Sequence, residues 1–138
     1  MTADEARRRF AAARVARLAT ADADGIPHLV PVVFAVDGDT VLVAVDRKPK
    51  RTTALKRLAN VRANPRVCLL ADHYDDGDWN ALWWVRADGV GAVHAPGEPD
   101  ASHAVELLAE RYPQHRAEPP EGPVLAVAVA RWSGWAAR

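Results

Sequence analysis

The stretch 15–45, VARLATADADGIPHLVPVVFAVDGDTVLVAV, decides the fold class. Two turns, each with an Asp-Gly pair, separate three apolar segments that we predict to be strands: 15–20, 26–36 and 40–45. Strands joined by turns this short must pair antiparallel, which excludes a doubly wound parallel sheet. Pro27 and Pro31 cannot donate ladder hydrogen bonds, so we expect the second strand to be bulged or to lie partly at a sheet edge.

The rest of the chain is assigned from apolar periodicity and from helix caps. Thr2 and Glu5 have the spacing of a capping box, Leu55 and Leu58 are predicted to face inward from the second helix, and a break is predicted at Asp88-Gly89. Helices are predicted over Ala3–Arg14, from Thr52 or Thr53 to Ala63, and over Pro99–Tyr112; strands over Val67–Ala71, Ala81–Ala95 and Val124–Trp132; loops over Asp46–Thr53, His73–Asn80 and Pro113–Pro123; and a short tail over Ser133–Arg138. This order predicts one domain over residues 1–138. Its class is mainly β (α+β), a split, partly open antiparallel β-barrel with short flanking helices.

Composition narrows the function classes. The formal net charge is +0 at pH 7, so no global electrostatic signal favours nucleic acid or an anionic membrane as a partner. The chain has no apolar run of the roughly 20 residues that a membrane span needs. Its first residues include Asp4 and Glu5 and lack an apolar core, which argues against a signal peptide and predicts a cytoplasmic protein. Cys68 has no partner for an internal disulfide and is interpreted as a small buried hydrophobe.

The most asymmetric part of the sequence is the basic stretch 47–66, which carries eight lysines and arginines and no acidic residue. It delivers Thr52 and Thr53 to the predicted start of a helix, where unpaired amides and a partial positive charge favour phosphate. A phosphate-bearing ligand explains this convergence. The alternative is a solvated basic helix face, which applies most to four cations: Lys56, Arg57, Arg62 and Arg66.

Aromatic residues offer a second signal. The chain has five tryptophans, and Trp83 and Trp84 are adjacent in a predicted strand, so their side chains must point to opposite faces. If one ring enters the core, the other faces solvent, a partner subunit or a ligand.

Other constellations do not indicate a catalytic or metal site. The five histidines show no zinc-ligand spacing, and the acidic residues of 72–78 do not have the spacing of an EF-hand loop. Gly89 and Gly91 lack the third glycine of a dinucleotide fingerprint, and Cys68 has no cationic neighbour in sequence to activate it. No catalytic side chain is therefore assigned, and the pattern favours chemistry carried by a cofactor.

The chain resembles the pyridoxamine-phosphate-oxidase-like split β-barrels, and within them the small actinobacterial proteins classed as deazaflavin-dependent. Four stretches carry the resemblance: the opening hairpin from Val15, the basic loop Asp46–Thr53, Asn64–Val67 and the strand Leu82–Gly89. The resemblance implies a flavin-binding type of barrel, a homodimer with cofactor sites at the subunit interface, and coenzyme F420 as cofactor. The implied activity is hydride transfer to or from a small organic substrate.

The resemblance also implies the site residues by position. Those that would hold the cofactor phosphate are Lys48, Lys50, Arg51 and Thr52, with Thr53 a neighbouring candidate. Those that would lie along the ring system are Val32, Val33, Phe34, Ala44 and Val45. Trp79, Trp83 or Trp84 would close the site, from the same or the other subunit.

Three alternatives remain open at this level. The first is an FMN-dependent oxidase or reductase of the same family. The second is a cofactor-binding or carrier module without turnover. The third is a heme- or tetrapyrrole-binding protein on the same barrel, for which His28, His73 or His94 would serve as ligand.

Overall fold

The structure is a computed structural model that describes residues 1–45 and 51–138, with the side chains of 51–55 outside the description. Its helices are α1 (Ala3–Ala12), α2 (Arg51–Ala63), α3 (Pro99–Arg111) and α4 (Pro113–Ala117). Its strands are β1 (Ala16–Ala21), β2 (Pro27–Val32), β3 (Ala35–Asp37), β4 (Thr40–Ala44), β5 (Arg66–His73), β6 (Trp83–His94) and β7 (Val124–Ala136), with a short 3-10 turn at Trp79–Ala81.

One seven-stranded antiparallel sheet contains every described strand, in the order β2-β1-β5-β6-β7-β4-β3. The two end strands, β2 and β3, are consecutive in the chain, so the sheet must curl until its ends approach each other. This arrangement confirms the predicted α+β split antiparallel barrel with short flanking helices. No described helix is long and apolar enough to cross a membrane.

The core fills the barrel and is closed at one end by α1. Thr2 caps this helix, since its hydroxyl accepts a hydrogen bond from the Glu5 N–H at 3.1 Å, at the predicted cap spacing. Phe10 points inward from α1 and is fully buried. Its ring centroid lies 4.7 Å from that of Phe34 and 5.5 Å from that of Trp132, so aromatic packing joins the helix to the sheet.

Two strands occupy the range where the sequence predicts one. The segment 26–36 breaks after Val32, and pairing resumes at Ala35 with a different partner strand. The prolines did signal a departure from a regular central strand. The break itself depends on a long-range contact to Phe34, described below, that no local pattern encodes.

The last strand is longer than predicted. The residues predicted as a tail, Ser133–Arg138, continue β7 as far as Ala136, because the twelve-residue β6 offers a pairing partner along its whole length. A bulge at Asp88/Gly89 interrupts this ladder, at the predicted break. A Cβ at Gly89 would lie 2.3 Å from the carbonyl oxygen of Ala128, so the close approach requires glycine.

The predicted loop Pro113–Pro123 contains the short helix α4. Proline suits the first position of a helix because its missing N–H has no intrahelical partner there. Pro113 occupies this position and begins the helix directly after α3.

Candidate functional site

The barrel opens where β2 separates from β4. The β3–β4 ladder pairs Asp37 with Thr40 and ends with Ala35 opposite Leu42. Continued at the same register, it would place Val33 opposite Ala44 and Val32 opposite Val45. The chain instead turns into β2, whose partner is β1. We call the gap between the ends of β2 and β4 the opening.

All five residues assigned to the ring system by resemblance flank the opening, but only two expose side-chain surface. Val33 is 38% exposed, and Ala44 is half-buried. Val32, Phe34 and Val45 are at most 5% exposed and belong to the core. The side chain of Phe34 is therefore a packing element here, with its ring against Phe10 and under the Arg111 guanidinium, whose carbon lies 4.9 Å from the ring centroid. The lips of the opening are thus Val33 and Ala44.

In the sequence, the predicted phosphate site directly follows Val45, which flanks the opening. Lys48 and Lys50 lie outside the described residues. The backbone of residues 51–53 forms the first turn of α2, and the side chains of Arg51, Thr52 and Thr53 are not described. Five residues separate Val45 from α2, so chain length alone keeps the helix start within about 20 Å of the opening. The first N–H groups of a helix lack intrahelical partners and favour an anion.

Helix α2 is anchored to the barrel by its inner face. Leu58, predicted to face inward, is 3% exposed and clusters with Val45 at the end of β4. On the same helix, Asn60 is 3% exposed and its Nδ2 donates a hydrogen bond of 3.1 Å to the buried hydroxyl of Thr20. These contacts fix the helix. Of the four cations assigned to a solvated helix face, Lys56, Arg62 and Arg66 are exposed and Arg57 is half-buried.

A tyrosine that sequence reasoning did not assign to the site holds the break between β2 and β3. The Tyr112 hydroxyl accepts a hydrogen bond from the N–H of Phe34 at 3.3 Å. It can donate to the carbonyl of Phe34 at 3.0 Å or to that of Arg14 at 3.1 Å. The sequence carries no signal for these contacts, because 78 residues separate Tyr112 from Phe34.

Arg111 fixes the tyrosine in place. Its Nε donates to the Tyr112 hydroxyl at 3.1 Å, and its two terminal nitrogens donate to the carbonyls of Ala11 and Ala13 where α1 ends. The guanidinium of Arg14 lies 4.7 Å from the Tyr112 ring centroid and donates to the Arg111 carbonyl at 2.9 Å. The end of α3 is thereby tied both to the end of α1 and to the opening.

The three tryptophans assigned to close the site lie in separate environments within one subunit. Trp79 is 66% exposed in the 3-10 turn. Trp83 packs against the core, with the His73 ring stacked at 6.3 Å and the Arg9 guanidinium carbon 5.7 Å from its centroid. Trp84 points to the outer face of the sheet, where its backbone pairs with that of Trp135. The prediction that the adjacent pair divides between two faces is confirmed.

The outer face of the sheet is rich in apolar surface. Leu29 is 66% exposed, Val90 51%, Trp135 49% and Leu70 38%, on four different strands. A groove of about 480 Å³ runs across this face past Val90. Monomeric proteins rarely expose this many large apolar side chains on one surface.

Cys68 lies in the same groove and does not have the properties of a nucleophile. Burial raises the pKa of its thiol, nearby Asp88 raises it further, and Arg86 lowers it. The thiolate is the reactive form, so this environment disfavours nucleophilic chemistry near neutral pH.

The candidate heme ligands are dispersed. His28 lies on β2 opposite Thr20, His73 ends β5, and the Nδ1 of His94 lies 3.3 Å from a carboxylate oxygen of Glu98. Across the described residues, no three histidine, cysteine, aspartate or glutamate side chains come together as a metal site.

Comparison with known proteins agrees with this architecture. The family model described as pyridoxamine 5'-phosphate oxidase matches residues 2–136. A conserved hypothetical protein from Mycobacterium tuberculosis superposes with a TM-score of 0.76 at 24% identity, covering 100% of this chain and 86% of its own. An FAD-binding protein from Mesorhizobium loti gives 0.72 at 25% identity, covering 97% and 94%.

The same fold occurs in a heme storage protein from Vibrio cholerae, with a TM-score of 0.68 at 16% identity and coverage of 99% and 95%. No curated protein matches the chain. Similarity at 16% identity shows the fold alone, so this comparison carries no argument about the ligand of the present chain.

Proposed function

Because the chain belongs to the pyridoxamine 5'-phosphate oxidase family, we propose that it is a homodimeric oxidoreductase that binds coenzyme F420. The reaction is hydride transfer to or from a small organic substrate, with FMN as the alternative cofactor. The observation that carries the proposal is the opening, whose apolar lips are followed closely in the chain by a strongly basic stretch of sequence and the start of α2.

The residues present suit a planar ring with a phosphate-bearing tail. Val33 and Ala44 offer an apolar surface to the ring, and the small side chain of Ala44 leaves space beside it. The ring's polar edge requires hydrogen-bond donors and acceptors, which backbone groups at an unpaired strand end can provide. When bound, the cofactor would donate or accept the hydride, while the chain would bind the ring, orient it and exclude water.

The tail of the cofactor is assigned to the basic loop. Lys48, Lys50, Arg51 and the adjacent threonines would bind its phosphate together with the first amides of α2. Charge-assisted hydrogen bonds contribute about 1.5–3 kcal/mol each, so two or three of them dominate the affinity for a phosphate. The buried contacts of Leu58 and Asn60 give this cradle a rigid base.

A second copy of the chain would cover the outer face of the sheet. Leu29, Leu70, Val90 and Trp135 supply the apolar surface that an obligate interface of roughly 2,000 Å² or more requires. In such a dimer, Trp79 or Trp84 of one subunit closes the opening of the other. Sedimentation at micromolar concentration tests this part, and a stable monomer would refute it.

Equilibrium titration of the purified protein with F420 and with FMN tests the cofactor assignment. We expect F420 to quench tryptophan emission and to bind more tightly than FMN. Tighter binding of FMN would transfer the assignment to a flavin enzyme, and failure to bind either cofactor would refute the proposal. Turnover is tested separately by the oxidation of reduced F420 with small electron-poor acceptors, and binding without turnover would indicate a carrier.

A further inference from the structure

The Tyr112 hydroxyl has its full capacity for hydrogen bonds engaged at the opening. It accepts from the Phe34 N–H and from Arg111 Nε, and its single proton is shared between the carbonyls of Phe34 and Arg14. A phenol has one donor and two acceptor sites, so no capacity remains. Such saturation fixes the position of the oxygen relative to the Phe34 backbone.

This hydroxyl pairs with the side of Phe34 that faces away from β4. Hydrogen-bonded pairs alternate along the β3–β4 ladder, from Asp37–Thr40 to Ala35–Leu42, so a continued ladder would place Phe34 opposite Val43 without hydrogen bonds between them. Phe34 is fully buried, and buried backbone N–H and C=O groups need partners. Tyr112 provides a partner for both groups and so fixes the backbone at the point between β3 and β2 where neither strand's ladder holds it.

Arg111 determines where the hydroxyl stands. Its guanidinium is held by the carbonyls of Ala11 and Ala13 and lies over the Phe34 ring. A charged group that bonds to carbonyls in this way stays charged and donates in a fixed direction. The end of α1, the end of α3 and the opening thus form one rigid unit.

We propose that Tyr112, held by Arg111, is a positioning residue that fixes the Phe34 backbone and thereby places the neighbouring lip of the opening, Val33, against the cofactor ring. The inference rests on the proposed function, because it assigns to the opening the role of ring site. It concerns the ring and not the phosphate, since the contacts of Tyr112 reach Phe34 and leave α2 untouched. This division makes the inference testable apart from the stability of the fold.

The test compares Tyr112→Phe with Tyr74→Phe, which removes the hydroxyl of the only other tyrosine, an exposed one bonded to Asp76. Affinities are measured for F420, FMN and the phosphate-free ribityl forms of both rings, at a temperature where every variant is folded. We expect Tyr112→Phe to weaken all four ligands by the same factor, about tenfold or more, equivalent to about 1.4 kcal/mol. Tyr74→Phe should leave every affinity unchanged.

The outcomes separate the inference from the proposed function. A lowered melting temperature with unchanged affinities would assign Tyr112 a purely structural role and overturn the inference alone. A loss confined to the phosphate-bearing ligands would also overturn it. Wild-type protein that binds none of the four ligands overturns the proposed function, and the inference with it.

If the Tyr112→Phe variant does not fold, the Arg111→Lys variant is used in the same binding test. This variant keeps a cation for the carbonyls of Ala11 and Ala13 but loses the Nε bond to the tyrosine. We expect about threefold weaker binding of all four ligands, or about 0.7 kcal/mol, and unchanged binding would overturn the inference.

Discussion

Replacing Thr20 by valine tests how firmly α2 is seated on the barrel. Thr20 is 4% exposed, and its hydroxyl accepts a hydrogen bond from Asn60 Nδ2 at 3.1 Å. Valine keeps the shape of threonine but leaves the buried amide without this partner. An unsatisfied buried donor costs about 1–3 kcal/mol, which for a urea m value of about 1–3 kcal/mol/M lowers the unfolding midpoint by roughly 1 M.

Urea unfolding followed by tryptophan emission measures this loss, with Thr40→Val as the matched control. Thr40 lies on the outer side of β4 and is half-buried, so its replacement should change stability by less than about 0.5 kcal/mol. The double variant Thr20→Val/Asn60→Leu removes both polar partners and should recover part of the loss. An unchanged midpoint in Thr20→Val, or single losses that simply add in the double variant, would refute the reasoning.

Three further variants test the phosphate site, the bulge and the thiol. Lys50→Ala/Arg51→Ala should weaken cofactor binding by about 100-fold or more in a titration, at 1.4 kcal/mol per tenfold, with the melting temperature of the unliganded protein unchanged. Gly89→Ala should lower the unfolding free energy by about 3 kcal/mol or more in urea, because a Cβ there meets a carbonyl oxygen at 2.3 Å. Asp88→Asn should lower the pKa of the Cys68 thiol, since the carboxylate helps to raise it, and thiolate absorbance should appear at lower pH.

The first two of these variants have a matched control and a contrary outcome. Lys56→Ala/Arg62→Ala removes the same charge from exposed positions, and an equal loss of affinity there would reduce the phosphate site to a general charge effect. Gly25→Ala is the control for the clash at Gly89. Gly25 has a φ of +81° but no atom within 4 Å of an added Cβ, so alanine there should cost only about 1 kcal/mol of backbone strain. A larger loss of stability at Gly25 than at Gly89 would contradict the clash argument.

The thiol also links stability to pH. A folded-state pKa raised above that of the unfolded chain means that the protonated thiol stabilises the fold below the unfolded pKa of about 8.5, and that this contribution is lost as pH rises toward the folded pKa. Cys68→Ala should remove this part of the alkaline slope, measured by urea unfolding at pH 7 and pH 10. A slope identical to that of the wild type would contradict the raised pKa.

The sequence predicted the barrel because its hairpins are local. The turn glycines Gly25 and Gly38 both have positive φ and join strands at the predicted positions, and the alternation of apolar residues set the faces. The same periodicities predicted that Leu58 faces inward and that Trp83 and Trp84 point to opposite faces of the sheet. These features depend on neighbours within one or two secondary-structure elements, and the local sequence pattern encodes such contacts.

The shape of the site depends on contacts that pattern reasoning does not reach. Phe34 reads as one more apolar residue of a strand, yet its backbone pairs with a tyrosine at the end of a helix far along the chain. Likewise, the seating of α2 depends on Asn60, whose amide lies within a helix and gives no sign of its partner in β1. The residues assigned to the ring system by resemblance flank the opening, but only tertiary structure separates the exposed lips, Val33 and Ala44, from the core residues.

The hydrogen bonds that Tyr112 makes from the end of α3 to Phe34 and Arg14 also constrain the order in which the protein folds. Tyr112 reaches Phe34 across 78 residues and Arg14 across 98, so these contacts close large loops of the chain. Loop closure of this length slows folding, since its entropic cost precedes the energy gained from contacts. During synthesis, the early hairpins can form as they emerge, but the gap between β2 and β4 reaches its final form only after the ribosome has extended the chain past Tyr112. The strand that joins β6 to β4, β7, emerges later still, so the opening takes its final shape only when the sheet itself is completed.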